Sequence, residues 1–261
     1  MARVRTRSIG RSLVLTLADG PRQNALSGEM VAEIEQALDA APRDLAALVV
    51  EGEGGVFSAG ADLKALSAAL AQAPGATDPL EALNATGGRF FARFAASPFV
   101  TIALVDGAAV GGGMGLAAAA DIVIATPRAR FALTETSLGL PPAQIAPYLV
   151  ARLGERVARR LALTGARLDG REAAAVGLAD VYCETDGQDQ LTALLSSIER
   201  CAPGANAEAK RLLRACRTEP PEVYIAIAAK SFAAAVRGPE GKEGLAAFLE
   251  KRAPAWARSA R

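Results

Sequence analysis

The stretch from Val110 to Asp121, Val-Gly-Gly-Gly-Met-Gly-Leu-Ala-Ala-Ala-Ala-Asp, constrains the fold more than any other part of this chain. It follows the apolar, β-branched run Val100 to Val105 and a turn at Asp106-Gly107, and it runs into alanines and a leucine, which are good helix formers. The pattern predicts strand, tight glycine turn and helix start. At a helix N-terminus several backbone N–H groups lack intrahelical partners and the macrodipole concentrates positive charge. Glycine lets a ligand approach that backbone closely. Two readings stand side by side: a turn that merely closes strand to helix, or a cradle for a phosphate or a transient oxyanion.

A second stretch of the same kind, Val56-Phe57-Ser58-Ala59-Gly60-Ala61-Asp62-Leu63-Lys64, follows the short apolar strand Leu45 to Val50. Two such turns favour the cradle, because an oxyanion hole usually draws its donors from separate places. Neither turn has the spacing of a nucleotide-binding P-loop or dinucleotide fingerprint.

The rest of the chain alternates strands and helices, as in an α/β domain. Arg3 to Leu17, broken at Gly10, reads as a two-stranded entry with Leu13, Leu15 and Leu17 on one face. Ser27 is a candidate N-cap for a helix burying Met30 and Ile34. Ala71 to Asp78 has loop composition, a connection or a cover for a site, and Asp78-Pro79 opens a helix to about Ala96. Strands follow at Ile122 to Ala125 and Arg130 to Leu133. From Leu153-Gly154 onward the chain reads as helical, starting with Arg156 to Leu163, with one short strand at Asp180 to Cys183 and a junction at Cys201-Ala202-Pro203-Gly204.

Histidine is absent from the sequence, so triads with histidine and histidine metal ligands are excluded and acid–base work falls to carboxylates, lysine or tyrosine. Glu135, after the apolar run Phe131 to Leu133, is either such a proton carrier with a raised pKa or a solvated or capping glutamate. A net charge of +1 gives no electrostatic case for nucleic acid or an anionic membrane surface. Cys183, Cys201 and Cys216 are odd in number and widely spaced, which points away from disulfides and zinc and toward a reducing, cytoplasmic setting. The basic start Met1 to Arg7 leads into no apolar segment, and no run reaches membrane-spanning length, so the expectation is a soluble intracellular protein.

Phe57 to Leu63, Gly107 to Gly113, Asp121-Ile122 and Phe131 to Glu135, followed by Leu161 to Gly165 and Glu172 to Leu178, occur in an order that resembles the enoyl-CoA hydratase/isomerase (crotonase) superfamily over nearly the whole chain. The resemblance implies a spiral core of ββα repeats over residues 1–200, a C-terminal helical region at 201–261 used in trimerisation, and a homotrimer or a hexamer made of two trimers. It implies an acyl-CoA thioester as substrate and no further cofactor or metal. The oxyanion N–H groups would belong to Ala61 and Gly112, with Gly112 tolerating no bulk, and Glu135 would be the acid/base. Arg22, Asn24, Ala25, Ala59, Asp62, Leu63, Gly111, Thr134, Gly139 and Gln144 would line the substrate and CoA site, with Lys64 nearby. Arg22 or Lys64 would meet CoA phosphates.

Departures from the family pattern matter as much. Two-glutamate hydratases carry one glutamate three residues after the middle glycine of the triplet and a second further on; the matching positions here are Gly115 and Glu135. Ala143 stands where dienoyl-CoA isomerases and aroyl-CoA dehalogenases resemble one another in having aspartate, which counts against those chemistries. Pro142 has no N–H to offer a water, and the Gln144 amide is a candidate substitute. The glycine triplet with Leu140-Pro141-Pro142-Ala143-Gln144-Ile145-Ala146-Pro147 resembles the branch that hydrates glutaconyl-type thioesters, isohexenylglutaconyl-CoA hydratases first and 3-methylglutaconyl-CoA hydratases next. A single carboxylate also permits a Δ3,Δ2-enoyl-CoA isomerase, or a catalytically silent acyl-CoA binder.

Overall fold

The computed structural model describes residues 2–257; Met1 of the basic start and residues 258–261 of the C-terminal region lie outside the described residues. The chain enters as an antiparallel hairpin, β1 (Val4–Ile9) and β2 (Ser12–Leu17), and α1 (Gly28–Ala40) follows. Ser27 caps α1, its Oγ accepting from Met30 N at 3.2 Å, while Met30 and Ile34 are fully buried.

Three times the chain then lays one strand in each of two sheets before crossing over through helix. The pairs are β3 (Ala47–Gly52) with β4 (Val56–Ser58), leading to α2 (Leu63–Leu70) and α3 (Pro79–Ala95); β5 (Val100–Val105) with β6 (Ala108–Val110), leading to α4 (Gly112–Ala119); and β7 (Ile122–Ala125) with β8 (Arg130–Ala132), leading to α5 (Ala146–Thr164). The short β9 (Arg167–Asp169), α6 (Gly170–Ala175) and β10 (Val181–Tyr182) complete the two sheets. Their orders are β1-β2-β3-β5-β7-β10 and β4-β6-β8-β9. This is the spiral of ββα repeats.

The turns between paired strands stack on one another, which sets the pitch. A Cβ on Gly107 (φ 135°) would fall closer than 3.0 Å to the backbone of Gly55 and Val56. Thr126 Oγ1 donates to Asp106 Oδ1 at 2.6 Å, and Arg130 N donates to Gly107 O at 2.9 Å. β2 is buried on both faces: Leu15 and Leu17 join the main core, and Val14 joins a second cluster under the other face of the sheet. Leu13 packs, partly buried, against the same core as Leu15 and Leu17, so the three share one face as expected, and Val14 shows that the opposite face is covered as well. Parallel strands covered on both sides read as continuous apolar runs.

One boundary and one strand differ from expectation. Helix α5 begins at Ala146, ahead of the expected Arg156, and Gly154 (φ 70°) kinks it where the sequence suggested a start. The strand β9, too short to produce an alternation signal, pairs antiparallel with β8.

After α7 (Gln188–Glu199) come α8 (Pro203–Thr218), α9 (Pro221–Arg237) and α10 (Pro239–Leu249). Lys210 fastens α8 to the spiral: its Nζ donates to Phe99 O at 2.8 Å and pairs with Asp121. The Glu240 carboxylate accepts from Gly204 N and Ala205 N at the start of α8. Phe232, Phe248 and Leu249 are 72%, 82% and 79% exposed, so these helices present an apolar surface that the other described residues do not cover.

Candidate active site

The two glycine turns meet. In the first, Leu26 N donates to Gly60 O at 2.7 Å and Ala59 N to Gln23 O at 3.0 Å, so residues 23–26 run alongside 59–61. Ser58 Oγ, fully buried, donates to Asn24 O at 2.8 Å and accepts from Gly60 N at 3.1 Å. Gly60 (φ 86°) lies so near the second turn that a Cβ there would sit 2.8 Å from Gly112 N. Gly111 (φ 53°) caps α4, and Gly112 opens it. The first N–H groups of a helix have no intrahelical acceptor, so Gly112 N and the exposed Ala61 converge on one mouth.

Space at these glycines is distributed differently from the expectation for Gly112. A Cβ at Gly112 meets only ordinary contacts of 3.4 to 3.6 Å, one of them Ala61 N, so what it would fill is the mouth between the two amides. The positions with no room are Gly60 and Gly113, the latter against the backbone of Ser58.

Facing this mouth is Glu135, on a 3-10 turn (Glu135–Leu138) that Gly139 (φ 75°) terminates. A Cβ on Gly111 would lie 2.9 Å from Glu135 Oε1, so the missing side chain makes room for the carboxylate. Its Oε2 is buried without a hydrogen-bond partner among the described residues. Burial pushes the Glu135 pKa above the ordinary carboxylate range, opposed in part by the backbone amides of Glu135 and Thr134. A carboxyl so placed holds a proton more readily than a solvated one and suits proton transfer.

A cavity of about 310 Å³ joins these groups. Of the expected site residues it is lined by Glu135, Ala61, Gly112, Arg22, Ala25, Ala59, Asp62, Leu63, Gly111 and Thr134, together with Lys64. Pro21, Leu66, Leu138 and Leu140 also line it and escaped the sequence reading, because single apolar residues drawn from separate short elements carry no common periodic signal. The Asp62 carboxylate caps α2, accepting from Lys64 N at 2.9 Å and Ala65 N at 3.3 Å. Arg22 stands 3.6 Å from Glu29, and Lys64 has no ion-pair partner among the described residues.

Three expected lining residues stand elsewhere. Asn24 is fully buried with φ 54°; its amide donates to Val56 O at 2.7 Å and Glu53 O at 3.1 Å and accepts from Asp19 N at 2.8 Å. It is a brace for the turn rather than part of the cavity wall, because its polar atoms are spent on backbone. Gly139 ends the 3-10 turn outside the lining. Gln144 also lies outside, its Nε2 donating to Asn84 Oδ1 at 2.7 Å, so the amide expected to face a water is turned to α3.

Gly115, in place of the first glutamate of two-glutamate hydratases, faces Ile145. A Cβ there would come closer than 3.0 Å to Ile145 Cγ2 and Cβ, so the space of a side chain at 115 is already filled by hydrocarbon. Among the described residues no group of acidic, cysteine or histidine side chains is arranged to hold a metal ion, and no helix is long and apolar enough to cross a membrane.

Comparison with known proteins fits this geometry. The sequence pattern of the enoyl-CoA hydratase/isomerase family matches residues 10–259. An enoyl-CoA hydratase/isomerase from Marinobacter aquaeolei superimposes with a TM-score of 0.92 at 40% identity, covering 99% of this chain and all of the other. Pseudomonas aeruginosa AtuE does so with a TM-score of 0.93 at 42% identity, covering 98% of this chain and 100% of its own. The 2,3-dehydroadipyl-CoA hydratase of Escherichia coli is 31% identical over 94% of both chains. With the motifs in order, the two-sheet spiral and a family match spanning nearly every residue, this chain belongs to the enoyl-CoA hydratase/isomerase family.

Proposed function

We propose that the chain adds water across the α,β double bond of an acyl-CoA thioester, with Glu135 as its single acid/base. The observation that carries this reading is the buried Oε2 of Glu135, without a hydrogen-bond partner among the described residues, in the same cavity as Ala61 and Gly112. The Glu135 carboxylate takes a proton from water as the water oxygen bonds to C3. The double-bond electrons move through C2 to the thioester oxygen, which the Ala61 and Gly112 N–H groups receive. The enolate then collapses and C2 takes the proton back from Glu135. One oxyanion donor contributes about 3 kcal/mol to such a barrier. Arg22 and Lys64 flank the opening and suit CoA phosphates.

The finer reading is a glutaconyl-type thioester, supported by the Leu140–Pro147 motif and by a relative named for 2,3-dehydroadipyl-CoA, whose acyl chain ends in a carboxylate. Leu138 and Leu140 line the cavity on the Glu135 side, while its cations are Arg22 and Lys64, so a carboxylate-bearing chain has to reach one of those two or meet a group outside the lining. A second reading, Δ3,Δ2-enoyl-CoA isomerisation, draws on Ile145 filling the space at Gly115: one carboxyl is enough to carry a proton between C2 and C4. We also propose that the exposed apolar surface of α8 to α10 covers itself in a homotrimer or a dimer of trimers, read by sedimentation as the mass of three or six chains.

The test is incubation in deuterated water with crotonyl-, 3-methylglutaconyl- and a β,γ-enoyl-CoA, wild type beside Glu135→Gln. Hydration of the glutaconyl ester that falls by about a hundredfold or more in the variant supports the proposal. Deuterium at C2 or C4 without water addition assigns isomerisation instead. Thioester binding without Glu135-dependent turnover on any ester overturns both.

A further inference from the structure

Ser58 is a polar side chain buried to 0% exposure on the strand that leads into the first glycine turn, and the proposed proton transfers do not use it. Its hydroxyl makes two bonds, donating to Asn24 O and accepting from Gly60 N. Both lead to the oxyanion mouth. Gly60 is the residue before Ala61, and its φ of 86° is a left-handed conformation open to glycine. Asn24 and Gln23, at φ 54° and 52°, are adjacent non-glycine residues in the left-handed region, a conformation that persists only where its surroundings over-determine it. The bonds from Ser58 and from the Asn24 amide supply that determination. Ser58 also presses on the second turn, since its carbonyl and Cβ occupy the space beside Gly113.

We propose that Ser58 is a positioning residue for the oxyanion site: its hydroxyl locks Gly60 and Asn24 together and thereby aims the Ala61 N–H at the thioester oxygen. This rests on the reading of Ala61 and Gly112 as oxyanion donors. Removing the hydroxyl leaves the buried Gly60 N–H without its acceptor, and the turn relaxes to find another. A donor displaced by a fraction of an ångström still binds the ester but stabilises the enolate less.

The experiment reads the carbonyl directly. A saturated acyl-CoA, ¹³C-labelled at the thioester carbonyl, has no double bond to hydrate, and its C=O stretch falls in frequency when donors polarise it. Wild type, Ser58→Ala and Ser58→Cys are compared for that stretch, for the Kd of the same ester, and for kcat and KM with a turned-over enoyl ester. The expected result is a clear downshift in wild type, at least half of it lost in Ser58→Ala, with Kd within about threefold and kcat lower by about ten- to a hundredfold. Sulfur is a weak acceptor, so Ser58→Cys falls between the two. A full downshift and wild-type kcat in Ser58→Ala overturn the proposal. If Ser58→Ala does not fold, Ser58→Cys decides, and a wild-type spectrum there overturns it. A wild type that binds the ester with no downshift sinks the oxyanion reading and this proposal with it. A downshift in a wild type that turns over no enoyl ester sinks the hydratase reading alone, and the Ser58 comparison still stands on the spectra.

Discussion

On one wall of the cavity, Gly60 and Gly113 leave less than 3.0 Å between a would-be Cβ and the backbone of the opposing turn, and Ser58 and Asn24 spend nearly all their polar atoms on holding that backbone in place. On the other wall, Glu135 stands on one 3-10 turn, bordered by exposed Leu138 and Leu140, with a buried oxygen that bonds to nothing among the described residues. In the proposed function the first wall would present partial positive charge through amides held by close backbone packing, which suits stabilising charge without reorganisation. The second keeps a group under-satisfied so that it can change its protonation state. One wall has its supporting polar groups satisfied around the mouth, and the other leaves a carboxylate oxygen unsatisfied among the described residues.

The strongest way to break this contrast is at the tight wall. Gly113→Ala drives a methyl group into the Ser58 carbonyl, and because backbone faces backbone the turns must separate. We expect turnover to fall by about a hundredfold or more while a melting curve still shows a cooperative fold. A wild-type rate would mean that the amides have room to yield.

A medium effect is expected at Gly115. Gly115→Ala meets Ile145 and is expected to cost about 1–3 kcal/mol by overpacking in urea unfolding. Adding Ile145→Ala should make the double variant more stable than the sum of the two single losses predicts. Strict additivity would show that Ile145 does not own that space.

The smallest effect is expected at Glu135. Burial raises the pKa of Glu135 in the folded state, so the folded protein holds this proton more tightly than the unfolded chain. Stability from this group is therefore present at acid pH and is lost as pH rises from the ordinary carboxylate range through the folded pKa. At neutral pH the charged group costs the fold something, and Glu135→Gln is expected to raise Tm by about 1–3 °C while removing activity. Below the ordinary carboxylate range the difference should vanish. A variant that melts lower at neutral pH would assign Glu135 a satisfied, structural place.

Much of this was legible from residue order alone. The glycine turns, their flanking strands and the Ser27 cap follow from local chemistry, since left-handed backbone selects glycine and a serine oxygen satisfies free amides; the lone carboxylate follows from the family resemblance, whose first acid position is Gly115 here. What stayed hidden depends on contacts between distant segments. Asn24 and Gln144 carry amides that suit a ligand equally well, and only the packing turns one onto Val56 and Glu53 and the other onto Asn84. Likewise, sequence marks three glycines in a row at 111–113, but the fold decides that Gly111 clears space for Glu135, Gly112 borders the mouth and Gly113 abuts Ser58. Local propensity is written residue by residue, whereas the direction of a side chain and the room at a Cα are set by whichever segment the spiral brings opposite.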